Sequence, residues 1–242
     1  MTTTSTSRRS SSSSPGGSPG SGPRVDVAGV HVVASVVADG DFHPGVVPAP
    51  ELRRRQRALV DLPWTMLDQH HGVTAVDVLV PGGSDAEPGD VAVTGRRDAV
   101  LGCWVGDCAP VVVVGPTRLA IAHAGWRGLA AGVLAVAADA LDEPIVAAVL
   151  GPTIGPCCYE FGAADLAAVA EGLALDPARV LGTTRWGAPA LDVPAAVGHW
   201  FAGRGVTPTT VGSCPGCSYP GFSHRVRSER ARHVVAAWRP GR

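Results

Sequence analysis

The chain reads as an α/β (α+β) fold, a single domain of mixed β-sheets flanked by helices. Three observations predict it. A length of 242 residues with 45% hydrophobic content can bury a sizeable core, and favours one large domain over two. Runs rich in β-branched residues are interleaved with alanine-rich stretches of helical composition. These segments follow no clean βαβ alternation, so mixed sheets with flanking helices fit better than a doubly wound parallel sheet.

Residues 1–24 are a Ser/Gly/Pro tract with no apolar residue after Met1. Such a segment cannot repay its ordering entropy by burial and reads as a disordered tail before a folded domain over 25–242. Arg8 and Arg9 form a twin arginine, but no apolar stretch follows, so no export signal is expected. VHVVASVV (30–37) and AVDVLV (75–80) are strand-like. ELRRRQRALVDL (51–62) predicts a helix with Leu52, Leu59, Val60 and Leu62 inward and its arginines on a solvated face.

VAVTG (91–95), PVVVVG (110–115) and RLAIAHAG (118–125) predict strands, the last two at hairpin distance. WRGLAAGVLAVAADAL (126–141) has the composition of one helix, ended by Pro144, and IVAAVLG (145–151) is a strand. LDPARV (175–180) carries a helix-start signature, Asp176 before Pro177. PAAVGHWFAGRG (194–205) predicts a helix closed by Gly203 or Gly205. SERARHVVAAWR (228–239) predicts a final helix with Ser228 as N-cap and Glu229 in its first turn.

A net charge of -1 gives no global attraction to nucleic acid or membrane. The longest apolar stretches fall short of the ~20 residues that a membrane span needs. Six cysteines in a chain with no secretory signal predict reduced thiols in a cytoplasmic protein. The expected partners are small molecules, with no nucleic acid and no membrane, and the chain is expected as a monomer or weak homo-oligomer. No GxGxxG, P-loop or internal repeat is present.

Chemistry concentrates in a few motifs. QHHG (69–72), GDCAP (106–110) and AHAGWRG (122–128) offer His70 or His71, Cys108 and His123. Two imidazoles and one thiolate suit zinc, and three protein ligands leave one position open, as in catalytic sites. In an extended segment adjacent side chains face opposite ways, so only one of His70 and His71 can join a given site. Asp107 beside Cys108 can orient an imidazole or a water. Gly125, Gly128, Arg127 and the expected helix start make an anion site. The bland alternatives are a core histidine at a tight turn and a cysteine that is only a small core residue.

LGPTIGPCCYEFG (150–162), with Tyr159 and Glu160, reads as a shaped, pocket-lining loop or a structural crossover. CPGC (214–217) is a lone CxxC. It is read first as neither metal site nor redox pair, with a redox pair or half of a four-cysteine zinc site, completed by Cys157 and Cys158, as alternatives. In FSHRVRSERARH (222–233), Arg225, Arg227 and Arg230 either hold an anion or cover a helix face. His199 and His233 read as surface or satisfied core histidines.

QHHG, GDCAP, AHAGWRG, LGPTIGPCCYEFG and FSHR, in that order, resemble the bacterial YfiH / laccase-domain family. Its members are described as multicopper polyphenol oxidases, purine nucleoside phosphorylases and peptidoglycan editing factors. The resemblance covers about residue 69 to the end. It implies a mixed α/β domain and a zinc site of His71, Cys108 and His123, with copper as the alternative metal. It also implies supporting or catalytic roles for Asp90, Asp107 and Arg127. The expected substrate contacts are Arg127, Tyr159 and Arg225.

The implied activity is phosphorolysis of adenosine, inosine, guanosine and methylthioadenosine, with deamination of adenosine, so the expected partners are purine nucleosides and phosphate. The rivals are copper-dependent phenol oxidation, a non-catalytic envelope or division factor, and a Cys108–His123 hydrolase. The N-terminal third departs from the family pattern. ADGDFHPGVVPAPELRRRQ (38–56) lacks the usual Asn-Leu-Gly segment and offers Arg53, Arg54 or Arg55 in place of an Asn-Arg helix start.

Overall fold

The computed structural model describes residues 22–241. Most of the Ser/Gly/Pro tract, residues 1–21, lies outside the described residues. β1 (Arg24–Val27) and β2 (Val30–Ala34) form an antiparallel hairpin. A loop leads to α1 (Ala49–Leu59), then β3 (Trp64–Met66), β4 (Ala75–Asp77), β5 (Val91–Thr94) and β6 (Val100–Val105). The hairpin of β7 (Ala109–Val114) and β8 (Leu119–Ala124) precedes α2 (Trp126–Ala130), α3 (Val133–Leu141) and β9 (Ala147–Leu150). Then come α4 (Ala163–Gly172), the small ribbon of β10 (Leu181–Thr183) and β11 (Pro189–Leu191), and α5 (Val193–Ala202). β12 (Thr209–Thr210), α6 (His224–Arg227) and β13 (His233–Trp238) complete the described chain.

Two mixed sheets lie face to face. One runs β1-β2-β13-β6-β3 and the other β12-β9-β7-β8-β5-β4. Val30, Val32, Leu101 and Val235 of the first sheet meet Val112, Ile121 and Val149 of the second in a shared core. The outer face of the six-stranded sheet, Val111, Val113 and Ala122, packs on Leu129, Leu134, Ala137 and the inner sides of α4 and α5. The outer face of the five-stranded sheet, Val33, Val100 and Ala236, is covered by Phe42 and Leu59. β7 and β8 are therefore buried on both faces, which is why they read as continuous apolar runs rather than alternating ones. Each such Val or Leu contributes about 1.5–3 kcal/mol by leaving water.

Three sequence expectations are corrected. The stretch 126–141 is not one helix: Gly132, in the left-handed region at φ 83°, breaks it into α2 and α3. The LDPARV signature does cap a turn, with Asp176 accepting from the Ala178 N–H, but the turn is a single 3₁₀ one over Pro177–Arg179. The largest correction is at the C-terminus. Ser228 is no N-cap; it sits at φ 55° and ends the one-turn helix α6, whose N-cap is Ser223. HVVAAW then forms a central strand, paired antiparallel with both β2 and β6. Its alanines suit a helix, but two sheet partners and burial on both faces outweigh that preference. No helix among the described residues is long and apolar enough to cross a membrane.

Candidate metal centre and pocket

The short turn by which the chain crosses from β6 in one sheet to β7 in the other presents Cys108, the end of β8 presents His123, and the QHHG loop presents His71. Their ligand atoms all lie within 4.8 Å of one another. Cys108 Sγ is 3.7 Å from His71 Nε2, and the two imidazoles meet edge to face at 4.7 Å between centroids. Zn–N distances near 2.0–2.1 Å and Zn–S near 2.3 Å call for donors about 3.5 Å apart, so these residues fit one tetrahedral ion with an open position. His70 points elsewhere, toward Asp68 at 3.3 Å.

Asp90, buried immediately before β5 and beside the end of β8, organises the trio. Its Oδ1 accepts from His123 Nδ1 at 2.8 Å and from the His71 N–H at 2.9 Å, and its Oδ2 accepts from the Gly72 N–H at 2.7 Å. His71 occupies the left-handed region at φ 62°, a conformation held by those bonds. Gln69 clamps the same loop to β6, donating to the Trp104 carbonyl at 2.8 Å and accepting from its N–H at 3.1 Å. Gly125 is required by space: a Cβ there would come within 2.6 Å of His71 Cδ2 and 3.1 Å of Cys108 Sγ.

The electrostatics favour a thiolate. Burial opposes ionisation of Cys108, yet the His123 charge and hydrogen bonding to His123 and His71 pull its pKa down to about 6. Burial likewise works against a charged His123, and Cys108 and Asp90 overcome it, lifting its pKa to about 9. Asp107 has a different task. Its Oδ1 accepts from Ser223 Oγ at 2.7 Å, its Oδ2 from the Arg225 N–H at 2.6 Å, and its carbonyl from Thr153 Oγ1 at 2.9 Å. At φ 143° its backbone is strained. The carboxylate bonded to the His123 ring is thus that of Asp90, and Asp107 ties the cysteine turn to the FSHR segment.

A cavity of about 450 Å³ opens over His71, Cys108 and His123. Arg127, His224, Arg225 and Arg232 give it a basic rim, and Trp104 and Tyr159 give it aromatic walls. Arg127 is exposed and lies over the Trp126 ring at 4.5 Å; Arg225 lies near Tyr159 at 5.6 Å. Because α2 has only five residues, the cations rather than a helix dipole supply the positive field. Of the C-terminal arginines, Arg227 is spent on the Pro215 and Gly221 carbonyls and on Glu229, and Arg230 does not line the cavity.

The N-terminal contribution is not Arg53, Arg54 or Arg55. Arg54 and Arg55 pair with Glu51, and none of the three lines the cavity. His43 does, stacked at 4.7 Å on Trp104. Sequence reasoning missed His43, Gln69, Trp104, His224 and Arg232 as lining residues. Gln69 and His224 sit inside quoted motifs, whereas His43 carries no local signal.

The other histidines and cysteines are also placed. His199 is half-buried and hydrogen-bonded to Arg179 at 3.3 Å. His233 is buried with neither ring nitrogen partnered, so it is not a satisfied core histidine. All six cysteines are free. The CPGC pair does not stand alone: its thiols lie beside those of Cys157 and Cys158.

A family described as multi-copper polyphenol oxidoreductase laccase matches residues 46–240. A purine nucleoside phosphorylase of Streptomyces griseus is 37% identical over 182 residues, 70% of this chain and 71% of that protein. Another purine nucleoside phosphorylase, from Streptomyces coelicolor, is 36% identical over 163 residues, 64% of this chain and 66% of that protein. Among solved structures, Neisseria meningitidis protein NMB0706 superposes with a TM-score of 0.76 at 24% identity, covering 89% of this chain and 96% of that one. Bacillus licheniformis YfiH gives 0.73 at 20% identity, covering 86% and 92%. The mixed two-sheet fold is theirs, and with most of its length matched, the chain belongs to the laccase-domain (YfiH) family.

Proposed function

We propose that this chain is a zinc-dependent purine nucleoside phosphorylase that accepts adenosine, inosine, guanosine and methylthioadenosine, and that the same site deaminates adenosine. One observation carries the reading: an open His₂Cys donor set converges under a cavity with a basic rim and aromatic walls. The names of relatives at 36–37% identity support the substrate class.

Phosphorolysis forms a bond from a phosphate oxygen to C1′ and breaks the bond from C1′ to the base nitrogen, which leaves with the electron pair. Arg127 and Arg225 hold the phosphate by charge-assisted hydrogen bonds, and Arg232 adds to the field that attracts it. Trp104 and Tyr159 present ring faces for a purine. Asp90 holds His71 and His123 in register, and Asp107 holds Arg225 through its backbone N–H. Zinc held by His71, Cys108 and His123 would supply Lewis acidity and a means of ionising water near neutral pH.

Copper chemistry fits the residues less well. Multicopper oxidation needs several coppers held mostly by histidines, whereas the donor clusters among the described residues are one His₂Cys set and one set of four cysteines. The lowered Cys108 pKa favours one further reading, a cysteine hydrolase using the Cys108–His123 pair. It predicts covalent labelling of Cys108 that persists after metal removal.

The test is nucleobase release from adenosine and inosine, with and without phosphate, on wild type and Cys108→Ala of known zinc content. Phosphate-dependent release lost in the variant is the expected result. Inosine formed from adenosine without phosphate establishes the deaminase arm. Stoichiometric zinc with no turnover overturns the proposal and points to a non-catalytic envelope factor.

A further inference from the structure

We propose that Cys157, Cys158, Cys214 and Cys217 form a second metal centre, a closed tetrathiolate site for one zinc ion. Two tight turns build it. The first is the 3₁₀ turn Pro156–Cys158, which places adjacent thiols on a curved backbone rather than on opposite sides of a strand. The second is CPGC, closed by the Cys217, Ser218 and Tyr219 N–H groups, all donating to the Cys214 carbonyl at 3.2, 2.9 and 2.9 Å.

Distance supports one ion. All four sulfurs lie within 4.8 Å of one another, and Cys157 and Cys217 approach to 3.5 Å without a disulfide. A tetrahedron with Zn–S bonds near 2.3 Å has edges of about 3.8 Å, inside that bound. An iron–sulfur cluster divides four thiolates over two or four irons and needs a wider spread.

The surroundings fit a built site. Cys158 and Cys214 are buried with Ile154, Cys157 is half-buried and Cys217 is exposed. Gly216 lets the second turn approach the first closely: a Cβ there would fall 3.1 Å from Cys158 Sγ and 3.2 Å from Cys158 Cβ. Arg227 braces the second turn from outside by donating to the Pro215 carbonyl at 2.9 Å. Four protein ligands leave no open position, so the centre is structural. It links the segment that runs into Tyr159 to the segment that runs through Tyr219 into Arg225. The ion would therefore fasten the two loops that supply these pocket residues.

The experiment is zinc quantification on the full chain, purified and reconstituted under reducing conditions, for wild type, Cys108→Ser, Cys214→Ser and Cys217→Ser. The expected result is two zinc ions per chain in wild type and one in each single variant. Cobalt substitution in Cys108→Ser, where the four-cysteine set is intact, is expected to show the intense visible bands of a tetrathiolate. This readout needs no change at the proposed ligands.

The Cys108→Ser arm separates this proposal from the first centre, since either can fail without the other. One zinc in wild type that disappears in Cys108→Ser overturns the second centre. So does an intact mass two hydrogens light, mapped to a Cys157–Cys217 disulfide in protein kept from air.

Discussion

His123 and Asp90 are joined twice: the imidazole Nδ1 donates to the Asp90 carboxylate at 2.8 Å, and the His123 N–H donates to the Asp90 carbonyl at 2.7 Å. The side-chain bond sets the tautomer that leaves Nε2 free to ligate. The same carboxylate holds the His71 and Gly72 N–H groups, so one residue fixes both histidines of the candidate site. Asp90→Asn is expected to weaken zinc binding by roughly 10–100-fold and to lower activity in step, with activity recovering as zinc is added. A chelator-competition titration checks this; unchanged affinity would show that Asp90 does not position the site.

Gly125 separates a spatial demand from a conformational one. Its φ of -69° suits any residue, but a Cβ would press on His71 and Cys108. Gly125→Ala is expected to cost about 1–3 kcal/mol of stability through overpacking, and to lose most bound zinc while the chain still folds. Gly198→Ala, in α5 with nothing within 4 Å of the new Cβ, is the control and should be neutral or slightly stabilising. Equal zinc content in both variants would count against the steric reading.

Cys108 and His123 were legible because each sits in a short motif at a strand end, whereas His71 lies within a loop, where spacing left it open against His70 and only the family resemblance selected it. Cys108 and His123 are brought together by the β7–β8 pairing, which the spacing of their two runs implied. His43 was not legible, since it reaches the cavity through a loop that Asp41 anchors to the distant Arg232 N–H at 2.9 Å. The same limit hid HVVAAW: alanine content is local, whereas a central place between β2 and β6 is not. The four-cysteine cluster joins turns about sixty residues apart, a proximity that no spacing of a single CxxC encodes.

The basic rim makes a prediction about phosphate. Arg127 and Arg225 line the cavity, whereas Arg54 faces solvent paired with Glu51 at 2.7 Å. Losing a charge-assisted contact to substrate costs about 1.5–3 kcal/mol. Arg127→Ala and Arg225→Ala should therefore each lower kcat/KM for phosphate by roughly 10–100-fold, as a fold-change of that energy. Arg54→Ala should leave it unchanged. A phosphate titration at saturating inosine decides it, and an unaffected Arg127→Ala would remove that residue from the site.

His233 makes the fold acid-sensitive. Burial, reinforced by the charges of Arg232 and Arg227, depresses its pKa to about 4; the Pro152 and Phe222 carbonyls nearby favour the proton but make no hydrogen bond to the ring. In the unfolded chain the imidazole returns to its ordinary value near 6.5. Between these values the unfolded chain takes up a proton that the folded chain refuses. Stability therefore falls as pH drops from about 6.5 toward 4, by about 3 kcal/mol in all, and this contribution levels off below 4. His233→Leu keeps a similar volume, removes two unpartnered buried nitrogens and cannot titrate. It should be at least as stable as wild type at pH 7.5 and lose less on moving to pH 5. Urea unfolding at the two pH values measures the difference, and equal losses in both proteins would mean that the acid sensitivity arises elsewhere.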